Sequence, residues 1–146
     1  MNIEEMNQLL QEHIPLCRFM ELKIGSLDAV SITTSAPLEP NRNMHGTGFA
    51  GSLYSLAVAT GWALVHNRVD LACLSGQLVV KKAVIHYKRP VMADIELAAN
   101  IDSDVSNDAL KEQLFSKGRI DFPLIVNIYS KGKKCGYLEA NYVVVA

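Results

Sequence analysis

The sequence predicts an α+β domain in which an antiparallel sheet wraps around one central helix. Three observations lead there. A helix-length segment from Phe49 to His66 carries neither charge nor proline, most of the chain after it alternates with a period of two, and the strands do not alternate with helices as βαβ units require. With 49% apolar residues, 146 residues can bury a sizeable core without metals or disulfides, so a single domain over residues 1–146 is expected.

Ile3, Met6, Leu9 and Leu10 recur at helical spacing among Glu and Gln, which predicts a short amphipathic helix ending near Pro15. From Met20 the period becomes two. Met20, Leu22 and Ile24 alternate with Glu21 and Lys23, and beyond a turn at Ser26 to Asp28, Val30, Ile32 and Thr34 alternate with Ser31, Thr33 and Ser35. Glu39 to Gly48 is a polar loop of Pro, Asn and Gly. The helix that follows is apolar all round and must be covered on nearly all sides. Within it Gly51, Ser55, Ala59 and Ala63 fall at intervals of four, a stripe of small side chains where another backbone can approach, while Gly61 is a local weakness.

Gln77 to Tyr87 is rich in β-formers but only partly alternating; Lys81-Lys82 points to a bulge or a strand leaving the core, and Pro90 ends the run. Ile95, Leu97, Ala99 and Ile101 against Asp94, Glu96, Ala98 and Asn100 form a clean strand. Asp102 to Lys117 is polar, with a helical turn around Ala109 to Phe115. Phe122, Leu124, Val126 and Ile128 resume the alternation, and Lys131-Gly132-Lys133 turns it into a last strand from Tyr137 to Val145. One helix cannot cover a long six-stranded sheet, so the exposed edge predicts a symmetric dimer.

Charge excludes some partners. Lys and Arg total 14 against 15 Asp and Glu, and a net charge of -1 offers no broad field for nucleic acid or an anionic membrane. Met44 to Val65 is uncharged but rich in Gly, Ala, Ser and Thr rather than Leu, Ile and Phe, which suits a buried helix better than a membrane span. Cys17, Cys73 and Cys135 are odd in number and lie at no metal-ligand spacing, and the N-terminal residues lack the basic and apolar regions of a signal peptide. A cytoplasmic protein is expected.

Two stretches carry a family resemblance. Pro40 to Ala57, PNRNMHGTGFAGSLYSLA, resembles the loop and helix start of PaaI-like hotdog thioesterases, and Ile85 to Ile101 resembles that family's aromatic-x-Arg-Pro segment with the alternating strand after it. A closer similarity is to the thioesterase domain that occurs alone or fused behind acetyltransferase domains. In it N-x-N, G-T-x-F-x-G-S and a Gly-Trp pair recur, here Asn41 to Asn43, Gly46 to Ser52 and Gly61-Trp62. The resemblance spans Met20 to Val145 and implies a hotdog fold, a homodimer or dimer of dimers, an acyl-thioester site at the dimer interface, and hydrolysis of acyl-CoA or an acyl carrier without metal, redox group or other cofactor. The Gly-rich pyrophosphate loop of an acetyltransferase is absent from this sequence, so acetyl transfer is not expected.

The loop from Asn41 to Gly46 feeds a buried helix whose unpaired N–H groups and dipole favour a carbonyl oxygen gaining negative charge. Asn43, His45 and Ser55 are the catalytic candidates; Gly46, Thr47, Gly48, Phe49, Gly51, Tyr54 and Gln77 are the substrate-binding ones. Gly46, Gly48 and Gly51 leave room for close approach. The same loop also suits a plain turn, since Asn and Gly accept positive φ, and His45 suits either proton transfer near neutral pH or a capping role. PaaI-like enzymes place an acid in the first turns of the helix, where this chain has Tyr54 or, with one inserted residue, Ser55. Glu39 is the nearest carboxylate that could substitute, unless a partner subunit supplies one. Lys81, Lys82, Lys88 and Arg89 are candidates for the phosphates of coenzyme A, or else lysines that protect a strand edge. Lys131, Lys133 and Lys134 read as a solvated hairpin tip, and Trp62, Leu64 and Phe49 as core or tunnel lining. Because a helix rich in Gly, Ala and Ser leaves space beside it, a medium to long acyl chain is expected. The alternatives are a non-catalytic acyl-thioester sensor and, below it, a hotdog dehydratase or hydratase, whose helix acid is missing here.

Overall fold

Asn2 starts the first helix by accepting the Glu5 N–H on its side-chain oxygen at 2.8 Å, and α1 (Ile3–His13) then buries Met6 and Leu10 on one face. In the structure, a computed structural model that describes residues 1–102 and 105–146, a second helix follows at once, α2 (Pro15–Met20). The alternation read from Met20 therefore starts later than expected. Pro15 occupies the first helical position, where its missing N–H costs nothing, and Cys17 and Met20, three apart, turn inward together.

The sheet holds β1 (Lys23–Leu27), β2 (Ser31–Ala36), β3 (Gln77–Tyr87), β4 (Ile95–Asn100), β5 (Arg119–Ser130) and β6 (Lys133–Val145) in the order β1-β2-β4-β5-β6-β3, antiparallel throughout. β5 buries every second residue from Ile120 to Ile128, and its register pairs Ser130 with Lys133 across the expected hairpin. Pro123 is tolerated inside it because β4 pairs with β5 only from Val126 onward, leaving β5 an edge at that point. The register of β3 on β6 slips between Val80 and Lys82, which leaves Lys81 as the bulged residue the double lysine predicts. β3 is an edge strand of 11 residues, none of them fully buried.

The sheet wraps α3 (Ala50–Leu71), which packs on β2 to β6 and buries Leu53, Leu56, Ala57, Ala63, Leu64 and Val65. It runs a turn past His66 because Arg68 is held inside, donating to Asn107 Oδ1 at 2.6 Å and the Val105 carbonyl at 2.9 Å. Gly61 is the weakness the fold requires: a methyl group there would strike the Tyr142 hydroxyl. α4 (Asn107–Lys117) is a full helix rather than one turn, capped by the Ser106 hydroxyl and closed by Gly118 at φ 72°. Positions 103 and 104, part of the polar stretch read before it, lie outside the described residues. No helix among the described residues is long and apolar enough to cross a membrane.

Candidate active site

Two asparagines build the loop ahead of α3. Asn41 is buried, and its amide nitrogen donates to the Met20 carbonyl at 2.9 Å and the Pro37 carbonyl at 2.8 Å, tying the loop to the end of α2 and the end of β2. Asn43 closes the turn itself. Its Oδ1 accepts from the N–H groups of His45 (2.9 Å) and Thr47 (3.1 Å) while its Nδ2 donates to the Thr47 hydroxyl at 2.9 Å, so the side chain is committed within the loop. Gly46 sits at φ 80°, which a residue with a Cβ adopts only under strain. Gly48 donates its N–H to the Val91 carbonyl and has no room for a Cβ beside Val91. The Phe49 N–H goes to the Asn41 carbonyl at 2.7 Å.

Those bonds decide which donors are left. Leu53 N–H already closes the first turn on the Phe49 carbonyl, whereas the N–H groups of Ala50, Gly51 and Ser52 have no acceptor among the described residues. The N-cap is Phe49, which has no side-chain oxygen to take one of them. Its half-exposed ring lies instead over Gly51, where a Cβ would come 2.7 Å from the ring edge. Across the same turn the Tyr87 hydroxyl donates to the Ala50 carbonyl at 2.8 Å, pinning the helix start to the end of β3. Burial, helped by nearby Tyr54, pushes the Tyr87 hydroxyl above its ordinary pKa, which keeps it a donor.

A groove of about 230 Å³ lies between α2 and α3, beginning one turn into α3 at Tyr54 and Ser55, and its walls are almost wholly apolar. Leu16, Met20, Val58, Ala59 and Trp62 line it, with Tyr54 and Ser55 supplying the hydroxyls. Ser55 donates to the Gly51 carbonyl at 2.9 Å, which leaves its oxygen able to accept a further hydrogen bond. Cys17 also reaches this groove, but burial pushes its thiol up to about 11, so it packs as a hydrophobe and is no thiolate nucleophile. The sequence reading missed the α2 wall; Pro15, an N1 signal rather than a stop, was the clue to it.

Loop and helix start thus collect Asn43, His45, Gly46, Thr47, Gly48, Phe49, Gly51, Tyr54 and Ser55. His45 is exposed, and its imidazole has no partner among the described residues. Glu39 is drawn away by Arg42, whose guanidinium it meets at 3.1 Å. Gln77 starts β3 and Tyr87 ends it, so Gln77 stands about 33 Å along the strand from the site. Lys81 and Lys82 lie mid-strand, about 20 Å from Lys88 and Arg89, so the four cations form no single cluster.

Comparison with known proteins agrees with this architecture. Residues 3–146 match the model of the family described as "Putative thioesterase (yiiD_Cterm)". A solved structure of a putative thioesterase from Shewanella oneidensis is 30% identical with a TM-score of 0.87, covering 99% of this chain and 97% of its own. A protein of unknown function from Chlorobaculum tepidum is 26% identical at a TM-score of 0.89, over 97% and 93% of the two chains. A thioesterase from Haemophilus influenzae shares the fold at 15% identity, with a TM-score of 0.77 over 99% and 92%. The fold is the hotdog fold.

Proposed function

The chain belongs to this thioesterase family, and from that premise we propose that it hydrolyses acyl-CoA thioesters, with the carbonyl at the start of α3 and the acyl chain in the apolar groove. The observation that carries this reading is the set of three acceptor-free N–H groups on the first turn of α3, one turn ahead of a groove of apolar walls. Water adds to the thioester carbon; the carbonyl oxygen, now an oxyanion, is stabilised by the N–H groups and helix dipole; the C–S bond then breaks, and the thiolate takes a proton to leave as free thiol beside the carboxylic acid. With Asn43 committed inside the loop, His45 takes the proton from water and Ser55, through its hydroxyl oxygen, can only position it. A groove of this size and polarity favours a medium to long chain over acetyl.

The edge strand β3 is the natural place for a second copy. Antiparallel pairing of two such strands would set the Gln77 end of one beside the Tyr87 end of the other, which gives Gln77 a route to the site.

A thiol-release screen over acetyl, medium-chain, long-chain and aryl thioesters tests the reading. We expect turnover to favour medium and long chains and to fall about 10²- to 10⁴-fold in His45→Ala or Ser55→Ala with little change in KM. Activity confined to acetyl-CoA, or wild-type rates in both variants, overturns it. One observation favours a second reading, a non-catalytic acyl-thioester sensor: α3 carries no carboxylate before Asp70. Thermal stabilisation by acyl-CoA with no thiol released would select that reading instead.

A further inference from the structure

The sheet ends in β1 on one side and β3 on the other, and the fold treats these two edges differently. Along β3, 11 residues long, the backbone receives no side-chain hydrogen bond among the described residues. Along β1 lies α1. The Asn7 side-chain oxygen accepts the Ile24 N–H at 2.9 Å, and the Gln11 amide nitrogen donates to the Leu22 carbonyl at 3.1 Å. Residues two apart in an extended chain turn their backbone groups to the same side, and β2 pairs along the opposite flank of β1, so both bonds fall on the outer edge of the sheet.

Spacing makes this match possible. Asn7 and Gln11 stand four residues apart in the helix, a rise of about 6 Å, while Leu22 and Ile24 are two extended residues apart, about 6.6 Å. The order is reversed as well, Asn7 with Ile24 and Gln11 with Leu22, as it is for an added antiparallel strand. The neighbouring stripe of Met6 and Leu10 is buried in the core and holds the helix in that register. Just beyond, the pairing of β1 with β2 slips between Ile24 and Ser26, leaving Gly25 as a bulge that bends the rest of the edge. Core packing accounts for Met6 and Leu10, but not for two amides bonded to the backbone groups that an added strand would use.

We infer that α1 guards the β1 edge: Asn7 and Gln11 occupy the positions at which the β1 strand of a second copy would add, and so confine self-association to β3. The inference rests on the proposed pairing through β3 for the geometry of the particle. A dimer joined there carries a β1 strand at each end of its continuous sheet, so contacts from β1 to β1 between dimers would repeat without closing and build chains. With α1 on each end, growth stops at two copies.

Light scattering over a range of concentrations, with amide hydrogen exchange read at Ile24, tests this on the full chain. The wild type should keep the mass of two chains, with the Ile24 amide protected. Asn7→Ala keeps a strong helix former and should speed exchange at Ile24 about fivefold, the loss of one hydrogen bond, while amides in the middle of β5 hold their rates. Asn7→Ala with Gln11→Ala should exceed the mass of two chains as concentration rises. Gln8→Ala with Glu12→Ala, which removes an exposed pair from the same helix, should not. Exchange at Ile24 as fast in the wild type as in an unfolded chain, an unchanged rate there in Asn7→Ala, equal growth of the Gln8 and Glu12 control, or a folded double variant at the wild-type mass would each overturn the guard. If the double variant does not fold, Asn7→Ala and Gln11→Ala singly carry the same measurements. A wild type with the mass of one chain beside a double variant that pairs would sink the proposed β3 pairing alone; a dimer in both would sink this inference alone.

Discussion

The two ends of α3 are built on opposite principles. Toward its C-terminus the helix is buried and its polar groups are spoken for: Asn67 meets the chain's first residue and the Asp28 carbonyl, Arg68 meets Asn107 and Val105, and the Ala72 N–H closes the last turn. Toward its N-terminus, Ala50, Gly51 and Tyr54 are exposed, the cap has no side-chain acceptor, and three N–H groups are left open. One end holds the fold together, and the other presents donors to whatever enters. A helix N-terminus left bare by its own chain is one that a ligand carbonyl can complete.

This contrast can be broken by mutation. Substitutions at the buried end should change stability and leave turnover per folded molecule alone. The largest such effect is expected for Leu64→Ala, which empties a fully buried position and should lower unfolding free energy by about 2–5 kcal/mol in denaturant titration. A tenfold loss of kcat in the folded fraction of that variant would erase the distinction between the ends.

A smaller effect is expected from His66, whose ring stacks on Trp62 at 4.8 Å and whose pKa burial pushes below its ordinary value. Because the folded state disfavours the protonated ring, the unfolded chain binds the proton more readily. Stability from this group is therefore full above the unfolded pKa near 6.5 and declines as pH falls from there through the lowered folded value. His66→Phe should flatten the melting temperature between about pH 7 and pH 5 relative to wild type; an unchanged slope would assign that pH dependence to other groups.

Sequence periodicity reached most of the fold for a physical reason. β4 and β5 bury one face each, so every second residue of Ile95 to Ile101 and Phe122 to Ile128 records which way it points. β3 was harder to read because neither of its faces is fully buried, and its bulge at Lys81 shifts the phase midway. The α2 wall of the groove escaped notice since six residues span too few turns to show a period, and Met20 fits a strand alternation equally well. The glycine-rich loop leads into the start of the buried helix, as its sequence predicts, but its sequence does not show which of its polar groups the fold uses up. That the Asn41 amide nitrogen and the whole Asn43 side chain are used in holding the loop, while Ala50 to Ser52 stay open, depends on which carbonyls the fold brings within reach, and no local pattern carries that information.

Ala50→Pro addresses the open donors most directly. Proline suits the first helical position, Phe49 before it already has the extended ψ of 131° that a following proline requires, and the substitution deletes one N–H while leaving every side chain around the groove in place. Thiol release from a medium-chain acyl-CoA should fall about 10²- to 10³-fold in kcat, as for loss of one oxyanion donor, with the melting temperature held. Wild-type kcat in this variant would contradict the claim that the start of α3 polarises the thioester.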